Sequence, residues 1–190
     1  NENGYKRIIE LSSKYYLESN DLSEISLNIN TLLEKPDGIA IFSGTSFGFF
    51  GKLFDKGRLE DIEKIYQKIY SVFKDKFYIE IQRHNDLNEK NFEKFNLEIS
   101  HKFDIPLIAT QEVFYLDKTM HEAHDALICI GNKTYINDKN RIKYSNQHYF
   151  KTDQEMNDLF SDLPEALENN KNFPYLVNFR PQASEPVLPD

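Results

Sequence analysis

The 190-residue sequence has no tryptophan, one cysteine, and only seven glycines and seven prolines. Each shortage excludes something. A single thiol, Cys129, rules out an internal disulfide and a cysteine-rich zinc site. Sparse Gly and Pro exclude a linker or a low-complexity protein. No apolar run approaches the roughly 20 residues of a membrane helix. No dense run of Lys and Arg interrupts a net charge of -8, so electrostatics alone does not mark a nucleic-acid binder. The chain opens NENGYKRI, which is neither a signal peptide nor an initiator Met. These features point to a cytoplasmic protein and to a piece of something longer.

What is present suits one domain with a small appendage. Apolar residues make up 39% and aromatics 14%, enough for a sizeable core. The clearest stretch runs from Phe77 to Tyr115. Phe77, Ile79 and Ile81 alternate with Tyr78, Glu80 and Gln82, as in a strand. Ile105 to Thr110 is short and almost wholly apolar, as expected of a buried parallel strand. Between them Phe92, Phe95, Ile99 and Phe103 mark one helix face. The reading is a βαβ unit with a right-handed crossover. Its strands run into Gln82-Arg83-His84 and Thr110-Gln111-Glu112, and in parallel α/β folds chemistry sits at such ends.

Around this unit the spacing predicts further elements. Gly4 to Leu17 reads as a helix with Ile8, Leu11 and Tyr15 on one face. Asp21 to Glu34 reads as packed irregular structure ending in a short helix. Gly38 to Ser43 reads as a short buried strand. The glycine-rich Gly44 to Gly51 fails the P-loop spacing and reads as a tight strand-to-helix connection, followed by Phe49, Phe50, Leu53 and Phe54 on a buried helix side. Arg58 to Lys74 is the most regular amphipathic helix. Lys118 to Ile130 reads as a helix with Met120, Ala123, Leu127 and Ile130 inward. Thr152 with Glu155, and Asp162-Leu163-Pro164-Glu165, are helix starts. The Pro-rich end from Phe173 reads as irregular.

Candidate site residues are few. His121 and His124 in HEAHD share a helix face and can hold a metal, although the spacing is not that of HExxH proteases. The simpler reading is a polar helix side. His84 ends a strand and lies near any site there. Glu80 and Glu112 can be imagined as an acid/base pair, but nothing in the sequence fixes their separation. No Ser-His-Asp or Cys-His arrangement is legible.

Seven segments in one order carry a resemblance. They are NENGYKRIIELSSKYYLES, DGIAIFSGT, FYIEIQRH, IPLIATQEVFY, EAHDALICI, KYSNQHYFKT and DLFSDLPEALEN. Together the series resembles the later part of the PHP domain of bacterial DNA polymerase III alpha subunits. It weakens near Lys171 to Val177, where the family continues a helix and this chain has Pro174. The resemblance implies an α/β fold, part of a distorted (β/α)7 TIM-like barrel. It implies the later barrel over 1–116, a helical extension over 117–170, and a connector toward the next domain over 171–190.

The resemblance also implies a degenerate metal site. The family's early His-x-His motif would lie before Asn1. Its Ser-Gly-Cys matches Ser43-Gly44-Thr45, so Thr45 replaces a cysteine ligand. Its Asn-Asp-x-His matches Gln111-Glu112-Val113-Phe114, so Glu112 replaces an Asp and Phe114 a His. Glu can still bind a metal, whereas a Thr hydroxyl is a weak ligand and Phe offers no lone pair. The expectation is a structural, protein-docking segment with no intact metal site, no catalytic residue and no cofactor of its own. The parent would polymerise DNA with Mg2+ in a palm domain elsewhere, and the proofreading exonuclease subunit would be a partner. Two rivals remain: a metal-dependent phosphoesterase or 3′-5′ exonuclease acting on DNA ends or pyrophosphate, and an unrelated α/β binding module.

Overall fold

The computed structural model describes residues 1–17 and 28–183. Leu22 and Ile25, which the sequence places in packed irregular structure, lie outside the described residues. The chain divides into two compact units: Asn1–Ala40 with Phe173–Asp190, and Ile41–Asn172.

In the first unit, helix α1 (Glu2–Leu17) buries Gly4, Arg7 and Leu11. Ile8, Ile9 and Tyr16 are exposed, so the inward face is not the aliphatic one expected. The reason is close approach. A Cβ on Gly4 would lie 1.9 Å from the Gly38 carbonyl oxygen, so only glycine lets the helix come this near. One turn on, the Arg7 guanidinium donates to the Thr31 carbonyl at 2.5 Å. Thr31 lies in α2 (Ile29–Leu33), which is capped by the Asn28 side chain.

The second unit carries the parallel sheet. Strands β1 (Ile41–Phe42), β2 (Phe77–Ile81) and β3 (Leu107–Ala109) lie in that order. Ile41 pairs with Phe77, and Ile79 with Leu107, both in parallel register. The βαβ unit expected from periodicity is therefore present, with α5 (Glu89–Phe103) as its crossover. Tyr78 is buried together with Phe77, Ile79 and Ile81, because a parallel sheet is covered on both faces. Among the described residues the strands form an open three-stranded sheet.

β1 is shorter than its apolar run. Ser43 Oγ accepts the Glu80 N–H, and Gly44, at φ +82°, turns the chain away. Helix α3 (Phe49–Asp55) follows, burying Phe50 and Leu53 but leaving Phe49 exposed. Helix α4 (Leu59–Phe73) buries Ile62, Tyr66, Ile69 and Phe73. The Tyr66 ring packs between Phe50 (4.5 Å) and Phe77 (5.6 Å), joining α3, α4 and β2.

The later helices are α6 (His121–Gly131), α7 (Asp153–Leu159) and α8 (Pro164–Leu176). Thr152 and Glu155 form the expected capping box on α7. Asp162 lies two residues before the first residue of α8. Its carboxylate is taken by Arg83 at 2.6 and 2.8 Å. α8 runs through Pro174, past the irregular start expected at Phe173. Pro174 removes one backbone donor to the turn before it, yet the helix continues to Leu176.

α6 differs most from expectation. Leu127 is 65% exposed and Ile130 75%, and Met120 and Ala123 are also exposed. The inward side is polar. His121 Nε2 meets the Tyr144 carbonyl at 3.1 Å, and Asp125 receives Arg141 at 2.7 Å. Cys129 is buried, as expected. Specific polar anchors, not the apolar stripe, set the roll of this helix.

Candidate functional site

The ends of β2 and β3 meet the segment Tyr144–Phe150. Ser145 Oγ donates to the His84 carbonyl, and Ser145 N–H reaches Asp86 Oδ1 at 3.3 Å. Phe114 N–H donates to the His148 carbonyl and Phe150 N–H to the Tyr115 carbonyl, each at 2.9 Å. Tyr115 and Tyr149 make an isolated parallel bridge. The backbone thus holds His148 directly over the β2 and β3 ends.

Glu89 fixes the turn after β2. Its buried carboxylate accepts the His84 N–H at 2.8 Å and the Asn85 N–H at 2.7 Å. Asn85 and Asn88 take φ of 61° and 62°, a left-handed conformation that asparagine tolerates. Arg83 leaves the strand on the other side. It pairs with Glu93 and Asp162, donates to the Leu159 carbonyl at 2.6 Å, and lies over the Phe160 ring at 4.9 Å. The Asp162 and Glu93 hydrogen bonds, opposed by burial, push its pKa further above an already high value. Arg83 is therefore a structural clamp joining β2, α5 and the α7–α8 turn.

Four rings stack across the site. His84 lies on His148 at 4.1 Å and 4°. His148 lies against Phe114 at 4.8 Å and 17°, and Phe114 against His124 at 5.0 Å and 15°. Tyr144 meets the Phe114 ring edgewise at 4.9 Å. Phe114 is the second ring in from the His124 end and has an imidazole on each face.

The ring nitrogens are already engaged. His84 Nε2 accepts the Glu112 N–H at 3.2 Å, and its Nδ1 faces Glu89 at 3.3 Å. His148 Nδ1 faces the Glu112 carbonyl at 3.2 Å, and its Nε2 faces Asp86 at 2.9 Å. Each ring nitrogen of His148 thus faces an oxygen acceptor. Burial alone would push the Asp86 carboxyl up. The hydrogen bond and charge of His148, the Ser145 N–H and the charge of His84 outweigh it and hold the pKa below the usual value. His124 is shifted down, by burial first and then by the charges of His121 and His148.

His84, Asp86 and His148 bring ligand-type atoms within 4.8 Å of one another. The ring geometry does not fit a shared ion. A metal bound to an imidazole lies near the plane of that ring, and two stacked parallel planes have no point in common. Binding one ion with both rings requires breaking the stack and its hydrogen bonds.

The positions singled out in the sequence fall as follows. Thr45 Oγ1 accepts the Phe47 N–H at 3.3 Å, in the turn before α3. Glu112 has a 42% exposed side chain with an oxygen 3.7 Å from His148 Nδ1. Phe114 is in the stack. His84 is 2% exposed, so it lies beneath the site and not on its rim. Glu80 bonds Thr110 Oγ1 and Gln82, which accounts for it within the sheet end. His121 and Asp125 are spent on Tyr144 and Arg141, so HEAHD gathers no ligand set. His148 and Asp86 were missed. Each is one polar residue among several in a polar, turn-rich segment, with no periodicity to mark it. Beneath the site, Asn96 Oδ1 accepts from Tyr66 at 3.2 Å, and Asn96 Nδ2 lacks a partner. Asn96 lines a cavity of about 10 Å³ with Thr45, Glu80 and Gln82, room for roughly one water.

Residues 1–84 match the family model for the PHP domain. The whole chain is 33% identical over 189 residues to the DNA polymerase III subunit alpha of Caulobacter vibrioides. It is 33% identical over 189 residues to that of Rickettsia bellii, and 31% over 191 residues to that of Pseudomonas aeruginosa. In each case it spans 16% of the relative's length. The family model reaches the first three of the seven motif segments, and the matches to the alpha subunits run through all seven.

Proposed function

We propose that this chain, similar along its whole length to a segment of DNA polymerase III alpha subunits, is the later part of a PHP domain that has lost its metal site and serves as a structural, protein-docking scaffold. The observation that carries the reading is Phe114. Where the family has a histidine ligand, an aromatic ring is clasped between His148 and His124. Thr45, in place of a cysteine ligand, spends its hydroxyl on a backbone N–H. The residues present do not fit the family's metal centre, and no hydrolytic step is assigned to them.

On this reading the parent is a DNA-directed DNA polymerase in the bacterial cytoplasm. Its Mg2+ ions belong to a palm domain outside these residues, as does most DNA contact. The three-stranded sheet is an arc of a distorted (β/α)7 barrel closed by other residues of the parent. The proofreading exonuclease subunit is the partner expected for such a scaffold.

One observation favours a second reading, that of a metal-dependent phosphoesterase: the ligand-type atoms of His84, Asp86 and His148 lie within 4.8 Å of one another. The test is release of 3′-terminal nucleotides from DNA by the full polymerase chain without nucleoside triphosphates. The scaffold reading expects no release that EDTA abolishes. Release that EDTA stops and that Glu112→Gln weakens would establish the second reading.

A further inference from the structure

We infer that the small cavity beneath the site holds one permanently bound water, and that this water ties the turn carrying Thr45 to α5 and to the end of β2. The cavity measures about 10 Å³, and Thr45, Ser46, Glu80, Gln82, Glu93 and Asn96 are among the residues that line it. That is space for a single water, between largely polar walls. Three segments meet there: the turn after β1, the end of β2 and the middle of α5.

The hydrogen bonds around the cavity do not close without an occupant. Asn96 is 1% exposed. Its Oδ1 accepts from the Tyr66 hydroxyl at 3.2 Å, and its Nδ2 has no partner. Reversing the amide does not help, because it leaves a bare carbonyl oxygen in place of the bare N–H groups. A buried amide group left unpaired costs more than an ordinary hydrogen bond returns, so such groups nearly always find protein or water. Glu80 uses Oε1 for both Thr110 and Gln82, and among the described residues no donor reaches its Oε2. Thr45 Oγ1 accepts the Phe47 N–H at 3.3 Å, and among the described residues its own hydrogen has no acceptor. A water in the cavity accepts from Asn96 and from Thr45 and donates to Glu80. Three bonds are the usual number for a buried water.

The same walls select against other occupants. A cation would meet the Asn96 N–H hydrogens and needs six or more oxygen ligands, which so small a space does not gather. An apolar occupant would leave Asn96 and Glu80 unsatisfied, as would an empty cavity.

The test is the electron density of the full-length chain in crystals that resolve waters. One peak is expected within about 3.2 Å of Asn96 Nδ2 and of an oxygen of Glu80 or Thr45. The peak should persist in Tyr66→Phe and vanish in Asn96→Leu. Both variants lose the Tyr66–Asn96 bond, but only the second removes the donor to the water. In solution, exchange of the Phe47 and Gly48 amides, which bond Thr45 Oγ1 and the Thr45 carbonyl, reads the tie to the turn. It should be about fivefold faster in Asn96→Leu than in Tyr66→Phe, the worth of one ordinary hydrogen bond. An empty cavity in the unmutated chain overturns the inference. So does a peak ringed by six oxygens at metal distances, which is a cation. Equal exchange in the two variants overturns the tie. If Asn96→Leu does not fold, the density of the unmutated chain decides. None of these outcomes depends on what reaction the parent catalyses.

Discussion

Replacing Phe114 by alanine tests whether the ring column is structural. Removing a fully buried Phe costs about 3–5 kcal/mol. Phe114 is half-buried, so roughly half of that applies, about 2 kcal/mol. Its two stacked partners and the edge contact with Tyr144 add about 0.5 kcal/mol or more together. The expected loss is about 2–3 kcal/mol for the unit Ile41–Asn172. Hydrogen exchange of the β2 and β3 amides measures it for this unit by itself. Phe114→Leu keeps apolar area but not the stack and should lose about 1 kcal/mol. Phe114→His keeps a planar ring in the column and should sit closer to the parent than alanine does. Val113→Ala, one residue away and 40% exposed, should change stability by less than about 0.5 kcal/mol. If Phe114→Ala and Val113→Ala are indistinguishable, the stack carries no stability and the scaffold argument loses its physical basis.

Two other perturbations address the site's surroundings. Arg83→Met leaves the Glu93 carboxylate without its partner and breaks the link to Asp162 and Leu159; partial exposure tempers the cost to about 2–3 kcal/mol by urea unfolding, and Arg83→Lys should restore less than half, since an ammonium cannot make the same fork. Asp86 is held below its ordinary value by His148, so its contribution is fully present above about pH 4 and is lost as pH falls through the lowered folded pKa; Asp86→Asn should flatten that part of the stability–pH curve, and an unchanged acid limb would contradict the pairing.

Much of the fold was legible in the sequence because its signals are periodic. Phe77 to Ala109 announced a βαβ unit through alternation, an apolar run and a helical stripe, and the pairing of Ile79 with Leu107 bears this out. The roll of α6 was not legible. A stripe of Ala123, Leu127 and Ile130 states that a face is apolar, not that anything within the described residues covers it. The polar anchors that set the roll, His121 and Asp125, depend on Tyr144 and Arg141, and sequence spacing does not reveal such tertiary pairings. The same limit hid the centre of the site. Phe114 and Glu112 were found by motif, whereas His148 is placed by backbone bonds to Phe114 and by Asp86, a partner in the turn after β2. The motif therefore located the site, and only the structure supplied the ring column that fills it.

The measurement that bears most directly on the central claim is the transition-metal content of the purified full-length polymerase after dialysis without chelator. The account predicts well under one equivalent of zinc, manganese or iron per chain, unchanged by Glu112→Gln. About one equivalent or more that Glu112→Gln or Asp86→Asn removes would contradict it, and would mean that the stacked histidines part to hold an ion.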